Sequence, residues 1–291
     1  MKQKAIKMRK AFIHLMQEDS LTRLPVVGDG LPAKISEKLG FKALNVTVFA
    51  INSVLGKPNM GFADFYTLVT KAKEIIDNVE IPVICDVGTG HGLPANIERT
   101  VRNYETIGAA GIYIDDGVWP KKCGQMNTTL IVSTEEMVER IKAALSARKN
   151  SDFSIIAHSA IRNISDIDKT IERYQSYIKA GVDMLYVDKV TSITELRKIA
   201  KECDKVPLFV NANDLKRTID WQKLSDIGYK MATLNNECLY NRIRNEQKIL
   251  TMLKGNSVLG KHSSEDKTDA ENLADIVDTP KIVTIEEKYS K

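Results

Sequence analysis

Two aspartates directly follow short apolar runs of the kind that form buried strands. Residues 81–85 (IPVIC) end at Asp86, and residues 111–114 (GIYI) end at Asp115. The carboxyl ends of neighbouring parallel strands lie side by side, so both carboxylates should reach one cation. Hydrated Mg²⁺ prefers one or two carboxylates with water and substrate oxygens, and there it could polarise a carbonyl group and stabilise an enolate. The alternative is that each aspartate caps a helix or pairs with a lysine.

A cysteine lies in the loop after the second aspartate. Cys123 follows Lys121 and Lys122 within the segment PKKCG at 120–124. Nearby cations lower the pKa of a thiol, and an exposed loop gives access to a substrate. We therefore predict that Cys123 transfers a proton beside Lys121, with an inert loop thiol as the alternative.

Polar residues also end the other predicted strands. His158 ends the fifth strand, where it could bind a carboxylate or transfer a proton, or be a histidine satisfied within the fold. Asp188 ends the sixth strand and Asn211 the seventh, and Asp29 lies between two glycines after the first. We predict that these last three residues contact substrate.

The elements that must position these residues alternate along the chain. Strands are predicted at 25–27, 44–51, 81–85, 111–114, 153–157, 184–187, 206–210 and 229–234. Helices are predicted at 31–39, 62–79, 95–107, 134–147, 166–180, 193–202, 215–227 (in part) and 237–253. Eight apolar strands, each followed by a helix, indicate an α/β fold, a (β/α)8 TIM barrel with a C-terminal helical extension. A doubly wound sheet is the alternative, but residues 28–30 lack its third glycine.

Composition and charge exclude several functional classes. The 291 residues are 43% hydrophobic with a net charge of +4, and no block of basic and aromatic residues indicates nucleic acid. No apolar run is long enough to cross a membrane. The four cysteines are widely spaced, which indicates a cytoplasmic protein with reduced thiols and no zinc site. We expect a barrel over 1–255 and a polar C-terminal tail over 256–291 that is flexible unless a partner orders it.

Several motifs, in order and spacing, match a known family. They are LGKPNMG at 55–61, DVGTGHG at 86–92, GAAGIYIDD at 108–116, PKKCG at 120–124, VSTEEMV at 132–138 and AGVD at 180–183. Over residues 8–254 the chain resembles the isocitrate lyase and phosphoenolpyruvate mutase superfamily, and within it the methylisocitrate-lyase-like branch.

The resemblance implies a (β/α)8 barrel, Mg²⁺, and a homotetramer or homodimer that exchanges its C-terminal helix. Members make or break C–C or C–P bonds next to a 2-oxo acid through an enolate-like intermediate. The lyase loop whose cysteine transfers a proton maps onto Cys123, with Gly124 and Gln125 beside it at the substrate. The chain lacks the Lys-x-Asn-Ser loop of the mutases, which favours a lyase.

The chain also departs from the family pattern at positions that hold substrate and metal. Gly88 replaces the second aspartate of Asp-x-Asp, Val46 and Thr47 replace Ser-Gly, Asn59 replaces an aspartate, Gln125 a histidine and His158 an arginine. Losing the arginine removes a bidentate carboxylate clamp that histidine cannot reproduce. We expect a changed substrate, although Thr47 is kept as a substrate-binding candidate.

Three functions remain open from the sequence. The first is a divergent Mg²⁺-dependent lyase or aldolase-like enzyme acting on a 2-oxo or 2-hydroxy carboxylate. The second is a biosynthetic relative with changed chemistry, such as C–C bond formation or a phosphonate-type mutase or hydrolase reaction. The third is a catalytically silent barrel used for binding or assembly.

Overall fold

The computed structural model describes residues 2–119, 130–159, 161–163, 165–215, 221–234, 236–255 and 267–289. Within these residues eight parallel strands pair in sequence order and close on themselves, β1 with β8. The predicted (β/α)8 barrel is therefore confirmed.

The strands are short, and a helix follows each of them. They are β1 (Thr22–Val27), β2 (Leu44–Val46), β3 (Val83–Asp86), β4 (Gly111–Asp115), β5 (Ser154–Ser159), β6 (Met184–Val187), β7 (Leu208–Asn211) and β8 (Met231–Leu234). The helices are α1 (Lys2–Gln17), α2 (Gly30–Lys38), α3 (Val48–Val54), α4 (Phe65–Asp77), α5 (Pro94–Ile107), α6 (Thr134–Ala147), α7 (Ile167–Ala180), α8 (Ile193–Glu202), α9 (Trp221–Ile227), α10 (Glu237–Lys254), α11 (Lys267–Ile276) and α12 (Thr279–Tyr289). Two 3₁₀ turns, Ile161–Asn163 and Ala212–Asp214, follow β5 and β7.

Alternation along the strands divides the core in two, because successive side chains point to opposite faces. Leu44, Cys85 and Ile112 belong to the outer cluster that the helices cover. Ile84 and Phe209 belong to the inner cluster, which fills the barrel. Three residues of α1 join that inner cluster, namely Phe12, Leu15 and Met16. Helix α1 thus packs against the barrel interior, and the C-terminal strand ends carry the polar residues.

The predicted strand at 44–51 is wrong beyond its third residue. Strand β2 ends at Val46, and helix α3 begins at Val48. The Thr47 hydroxyl caps α3 by accepting a hydrogen bond from the Ala50 amide at 3.0 Å. The Val48 amide donates to Asp86 at 3.3 Å. These contacts outweigh the strand preference of the β-branched residues, which is weak where tertiary structure opposes it.

The C-terminal segment, predicted as a polar tail, contains the helices α11 and α12. Lys38 of α2 forms a 2.7 Å ion pair with Asp275 of α11, and Lys34 pairs with Asp278. The helical extension therefore contacts the barrel. None of the described helices combines the length and the apolar character needed to cross a membrane.

Candidate active site

Five of the predicted residues lie at the C-terminal ends of neighbouring strands, β3 to β7. They are Asp86, Asp115, His158, Asp188 and Asn211. Each lies two residues beyond an inner-cluster residue of the same stretch, as Asp86 does beyond Ile84. By alternation their side chains face the barrel mouth, which is where barrel enzymes place their catalytic groups.

The Asp86 carboxylate is held by backbone amides. Its Oδ1 accepts from the Gly88 amide at 2.7 Å, and its Oδ2 accepts the longer bond from Val48. The Gly88 carbonyl in turn accepts from the Asp115 amide at 2.8 Å. Gly88 therefore links the ends of β3 and β4 and fixes the two aspartates relative to one another.

The Asp115 side chain is 2% exposed, and its Oδ1 accepts from the Gly117 amide at 2.9 Å. A Cβ atom at Gly117 would lie 2.8 Å from that oxygen and 3.4 Å from the Thr89 methyl group. The Thr89 hydroxyl is buried and has no hydrogen-bond partner among the described residues. A buried hydroxyl without a partner beside a carboxylate is available to bind a polar group or an ion.

The residues present fit a magnesium ion. Asp86 and Asp115 supply two carboxylates, and Thr89 supplies a hydroxyl without a partner. Hard oxygen donors of this kind suit Mg²⁺, which needs only one or two protein carboxylates. Within the described ranges no group of three or more His, Cys, Asp or Glu residues could by itself hold a metal ion. When bound, the ion would draw negative charge from a substrate oxygen.

A second group of polar residues lies across the mouth around Asp188. Its Oδ2 accepts from His158 Nε2 at 3.1 Å, and its Oδ1 accepts from Asn211 Nδ2 at 2.8 Å and from the Lys189 amide at 2.8 Å. Burial alone would raise the pKa of Asp188, but the hydrogen bond and charge of His158, the charge of Lys189 and the hydrogen bond from Asn211 together outweigh burial. The pKa of this carboxyl lies well below its usual value. Asp188 is therefore a carboxylate that orients His158 and Asn211.

Aromatic rings form the floor beneath this network. Tyr186 stacks on Phe209 with ring centroids 4.2 Å apart, and the His158 ring lies 4.7 Å from Tyr186. The Tyr113 ring meets Tyr186 edge-on at 5.1 Å. Burial, followed by the Asp86 charge, raises the pKa of Tyr113 well above its ordinary value, so its phenol stays neutral.

His91, in the glycine-rich loop after β3, is a further candidate, for which the sequence left open a loop that closes over substrate or a surface position. Its backbone is left-handed, with φ of 64°, and its ring meets Phe65 and Trp119 edge-on at 5.2 and 6.0 Å. Burial, and then the charge of Arg99, lower its pKa to about 4, so the imidazole is neutral. Its Nε2 is buried without a partner among the described residues. In the sequence, the feature that marks this histidine is its position within a glycine-rich segment, GTGHG at 88–92.

Two predicted substrate-binding residues act as helix caps in the structure. Thr47 caps α3, and Asp29 caps α2 by accepting from the Leu31 amide at 3.1 Å. Asp29 also forms a 2.8 Å ion pair with Arg242 of α10. Both side chains therefore have a structural role at the start of a helix. Contact of either residue with substrate stays a prediction.

The predicted loop residues Lys121, Cys123, Gly124 and Gln125 lie outside the described residues. The structure does describe both ends of their loop. The Val118 amide donates to the Leu130 carbonyl at 3.0 Å, and the Val132 amide donates to the Asp116 carbonyl at 2.8 Å. The loop that carries Cys123 therefore leaves the barrel next to Asp115 and returns there.

Comparison with known proteins identifies the family. The sequence profile of phosphoenolpyruvate phosphomutase matches residues 12–253. The chain belongs to the phosphoenolpyruvate mutase and isocitrate lyase superfamily.

Relatives in this superfamily are similar over much or all of the chain. The 2-methylisocitrate lyase of Aeropyrum pernix is 36% identical over 219 residues, which cover 75% of this chain and 70% of that protein. The 2,3-dimethylmalate lyase of Eubacterium barkeri is 32% identical over 291 residues, 98% of both chains. A structure of oxaloacetate acetylhydrolase with 3,3-difluorooxalacetate superposes with a TM-score of 0.89 at 26% identity, covering 97% of each chain. These likenesses support a carbon–carbon lyase, and members of the superfamily use Mg²⁺.

Gly88 stands where the superfamily resemblance places a second aspartate, and the site has room for one. Gly88 has φ of 54°, and no atom lies within 4 Å of the position of an added Cβ. Aspartate tolerates this left-handed conformation better than most residues.

We expect Gly88→Asp to lower the Kd for Mg²⁺ about tenfold, since carboxylate count tunes the affinity of such sites. Isothermal titration calorimetry with Mg²⁺ measures this change. Gly88→Asn is the matched control, with the same shape and no charge, and it should bind Mg²⁺ like the wild type. Equal affinities of the two variants would show that position 88 lies out of reach of the ion.

Proposed function

We propose that this protein is a Mg²⁺-dependent carbon–carbon lyase or aldolase-like enzyme. It acts on a 2-oxo or 2-hydroxy carboxylate through an enolate-like intermediate. The observation that supports this most directly is the pair of backbone-held carboxylates, Asp86 and Asp115, beside the unpartnered Thr89 hydroxyl. The superfamily's members are Mg²⁺-dependent lyases and mutases of carboxylate substrates.

The reaction places separate demands on the residues of this chain. Asp86 and Asp115 would hold the ion, which when bound would stabilise the negative charge of an enolate. The substrate hydroxyl loses its proton to a general base or to water as its oxygen becomes the carbonyl of the 2-oxo product. The electron pair of the broken C–C bond stays with the departing fragment, and the Cys123 thiol protonates that carbon. Lys121 favours the thiolate that remains. In the direction of bond formation the thiolate removes the same proton.

The substrate differs from that of the lyases with an arginine on the fifth strand. His158 stands at that position, and its Nε2 is engaged with the Asp188 carboxylate. A histidine that donates to a carboxylate offers a substrate less positive charge than a guanidinium does. We therefore expect a substrate with fewer or differently placed carboxylates than methylisocitrate.

Replacing Cys123 tests the proposed proton transfer. We expect Cys123→Ser to reduce kcat by about 100-fold or more, because loss of a general acid–base group has effects of 10²–10⁴. The assay offers 2-hydroxy carboxylates with Mg²⁺ and follows release of the 2-oxo acid product. Cys238→Ser is the matched control, since Cys238 is an exposed free cysteine on α10. Activity that survives in Cys123→Ser would contradict lyase-style proton transfer.

The same assay separates the remaining candidates. Gly88 and His158 replace charged family residues, which favours a biosynthetic relative with changed chemistry as the second candidate. Binding of Mg²⁺ without cleavage of any 2-hydroxy carboxylate would support that candidate. Failure to bind Mg²⁺ would support a silent barrel.

We also propose that copies of the chain associate through the C-terminal helices. Helix α12 carries several exposed apolar side chains, namely Ile282, Val283, Ile285 and Tyr289. Exposed apolar clusters of this kind are typical of interaction sites. We expect light scattering to give a dimer or tetramer for the full chain and a smaller species for a chain ending at residue 255. A monomeric full chain would contradict the proposal.

A further inference from the structure

A cavity of about 740 Å³ opens at the N-terminal end of the barrel, on the side away from the mouth. It lies between α1, the last turns of α4 and α5, and the turn that joins α6 to β5. Val83 lines the cavity and begins β3, whereas Asp86 ends the same strand at the mouth. Pockets for small molecules have volumes of roughly 300–1,000 Å³. The cavity is therefore large enough for a ligand of its own, separate from the candidate active site.

The lining of this cavity combines apolar side chains with an excess of positive charge. Met8, Ile76 and Ile107 are among the apolar residues. Six cationic residues line the cavity against two acidic ones, Asp77 and Glu105. The cationic residues are Lys2, Lys4, Arg9, Lys73, Arg102 and Lys149. A concave surface lined by one sign of charge attracts ligands of the opposite sign, so the expected ligand is an anion.

Both acidic residues already have partners of their own. The Glu105 carboxylate accepts from the backbone amides of Lys149 at 2.9 Å and Asn150 at 2.8 Å. Asp77 forms an ion pair with Lys73 one turn away on α4. Neither carboxylate therefore neutralises the remaining cationic side chains of the cavity.

Contacts within the fold account for only some of these cations. The Lys4 ammonium donates to the Ile76 carbonyl at 3.1 Å and pairs with Glu80 at 3.0 Å, so it stabilises the end of α4. The ammonium groups of Lys2 and Lys149, in contrast, form no hydrogen bond or ion pair with any residue that the structure describes. Their charges are available to a ligand.

Arg9 adds a buried donor to the cavity. Its side chain is nearly buried, with Nε donating to the Ala109 carbonyl at 3.3 Å and Nη2 donating to the Glu105 carbonyl. Its Nη1 comes only within 3.9 Å of Glu105 Oε1, too far for a hydrogen bond, and has no other acceptor in the described ranges. Buried donors are normally paired, so Nη1 has a hydrogen bond to give.

Arg9 and Lys149 meet at one end of the cavity, because both lie against the Glu105 carboxylate. Lys2 precedes Arg9 by seven residues on α1. Two helical turns separate these residues, which places them on the same face of the helix about 10 Å apart. Cations therefore lie at both ends of the cavity, with apolar side chains available between them.

We propose that this cavity binds a phosphorylated metabolite of about nucleotide size. A guanidinium and an ammonium group bind phosphate oxygens through charge-assisted hydrogen bonds, which Arg9 and Lys149 supply together. The apolar body of the ligand packs against Met8, Ile76 and Ile107. Because it contacts α1, α4 and α5 at once, the ligand stabilises the attachment of α1 to the barrel. The site does not depend on the metal or on the proposed lyase reaction.

Calorimetry with three related probes tests this site. The probes are ATP, adenosine and tripolyphosphate, in a buffer with EDTA that keeps metal ions from the barrel mouth. We expect saturable binding of ATP, with adenosine and tripolyphosphate each binding at least about tenfold more weakly, because each lacks one half of the recognised ligand. ATP should also raise the Tm of the wild type, since it binds the folded state. Tripolyphosphate binding as tightly as ATP would overturn the assignment of a ligand with an apolar body.

Reversing one charge in the cavity locates the binding site. Lys149→Glu should raise the Kd for ATP about tenfold or more, because a carboxylate beside a phosphate repels it. The side chain is exposed, and the backbone amide that holds Glu105 is retained, so the Tm without ATP should stay close to that of the wild type. Lys2→Glu, at the exposed start of α1, is a second variant with the same expected direction.

Lys179→Glu is the matched control. Lys179 is an exposed lysine in the last turn of α7, at the same end of the barrel but outside the cavity lining. The substitution changes the net charge of the protein by the same amount, and the Kd for ATP should stay within about threefold of the wild-type value. Absence of saturable ATP binding would overturn the proposal. An equal loss of affinity in Lys149→Glu and Lys179→Glu would also overturn it, since ATP would then follow the overall charge.

Discussion

Replacing Arg173 with methionine is expected to lower the free energy of unfolding by about 3–5 kcal/mol, because it leaves a buried charge without its counter-ion. Asp116 is fully buried, and Arg173 is 5% exposed. Arg173 Nε donates to the Asp116 carboxylate at 2.8 Å, and the Tyr177 hydroxyl donates to the same oxygen at 2.9 Å. Breaking a buried pair costs more than the pair itself contributes, since the remaining carboxylate cannot return to water.

The same guanidinium also holds the chain where the Cys123 loop ends. It donates to the Val132 carbonyl at 2.7 Å and to the Thr134 hydroxyl at 3.1 Å. The Asp116 amide donates to the carbonyl of His158, which places the network beside β5 as well. Arg173→Met should therefore also reduce kcat by misplacing the loop, with little change in the Kd for Mg²⁺.

Thermal unfolding measures the stability effect, which corresponds to a fall in Tm of roughly 6–20 °C for a domain of this size. The double variant Asp116→Asn/Arg173→Met removes both charges and should recover part of the loss. Arg102→Met is the control, because it removes an exposed ion pair with Glu98 on α5, and its change in Tm should be within experimental error. A small effect of Arg173→Met would mean that water reaches Asp116.

The barrel itself could be predicted because its signals are local, namely the periodicity of apolar residues and the glycines at which helices end. The predicted helices at 134–147 and 193–202 agree with α6 and α8 at both ends. The predicted strand at 44–51 was wrong over residues 48–51. The β-branched residues there favour a strand, but Thr47 caps a helix that begins at Val48. That cap could not be recognised, since the second contact is the Val48 amide with Asp86, 38 residues away.

The residues of the candidate site could be predicted where their position depends on a local signal, and not where it depends on a distant contact. Acids and amides that directly follow apolar strands face the mouth by alternation, which is why Asp86, Asp188 and Asn211 were found. The partner of Asp116 was not predictable, because Arg173 lies 57 residues downstream on a helix with no distinguishing motif.

Asp86→Asn and Asp115→Asn should each abolish the rise in Tm that Mg²⁺ gives to the wild type. Each substitution removes the negative charge that a hard divalent cation requires while keeping the side-chain shape. If the ion supplies the main stabilisation of the enolate charge, turnover should fall by about 10³-fold or more, since one lost electrostatic contact in a transition state already costs 10²–10³. The two variants should fold, because the amide oxygen can still accept from Gly88 or Gly117.

Asp29→Asn is the matched control for both variants. Asp29 also follows a barrel strand, but its carboxylate caps α2 and pairs with Arg242. Asparagine caps helices as well as aspartate, so the fold should keep its stability and its full response to Mg²⁺. The measurement is Tm against Mg²⁺ concentration, because a ligand that binds only the folded state stabilises it increasingly as the ligand concentration rises above its Kd. If Asp86→Asn and Asp115→Asn respond to Mg²⁺ as Asp29→Asn does, the ion binds elsewhere, and the enolate chemistry proposed for this mouth loses its electrostatic basis.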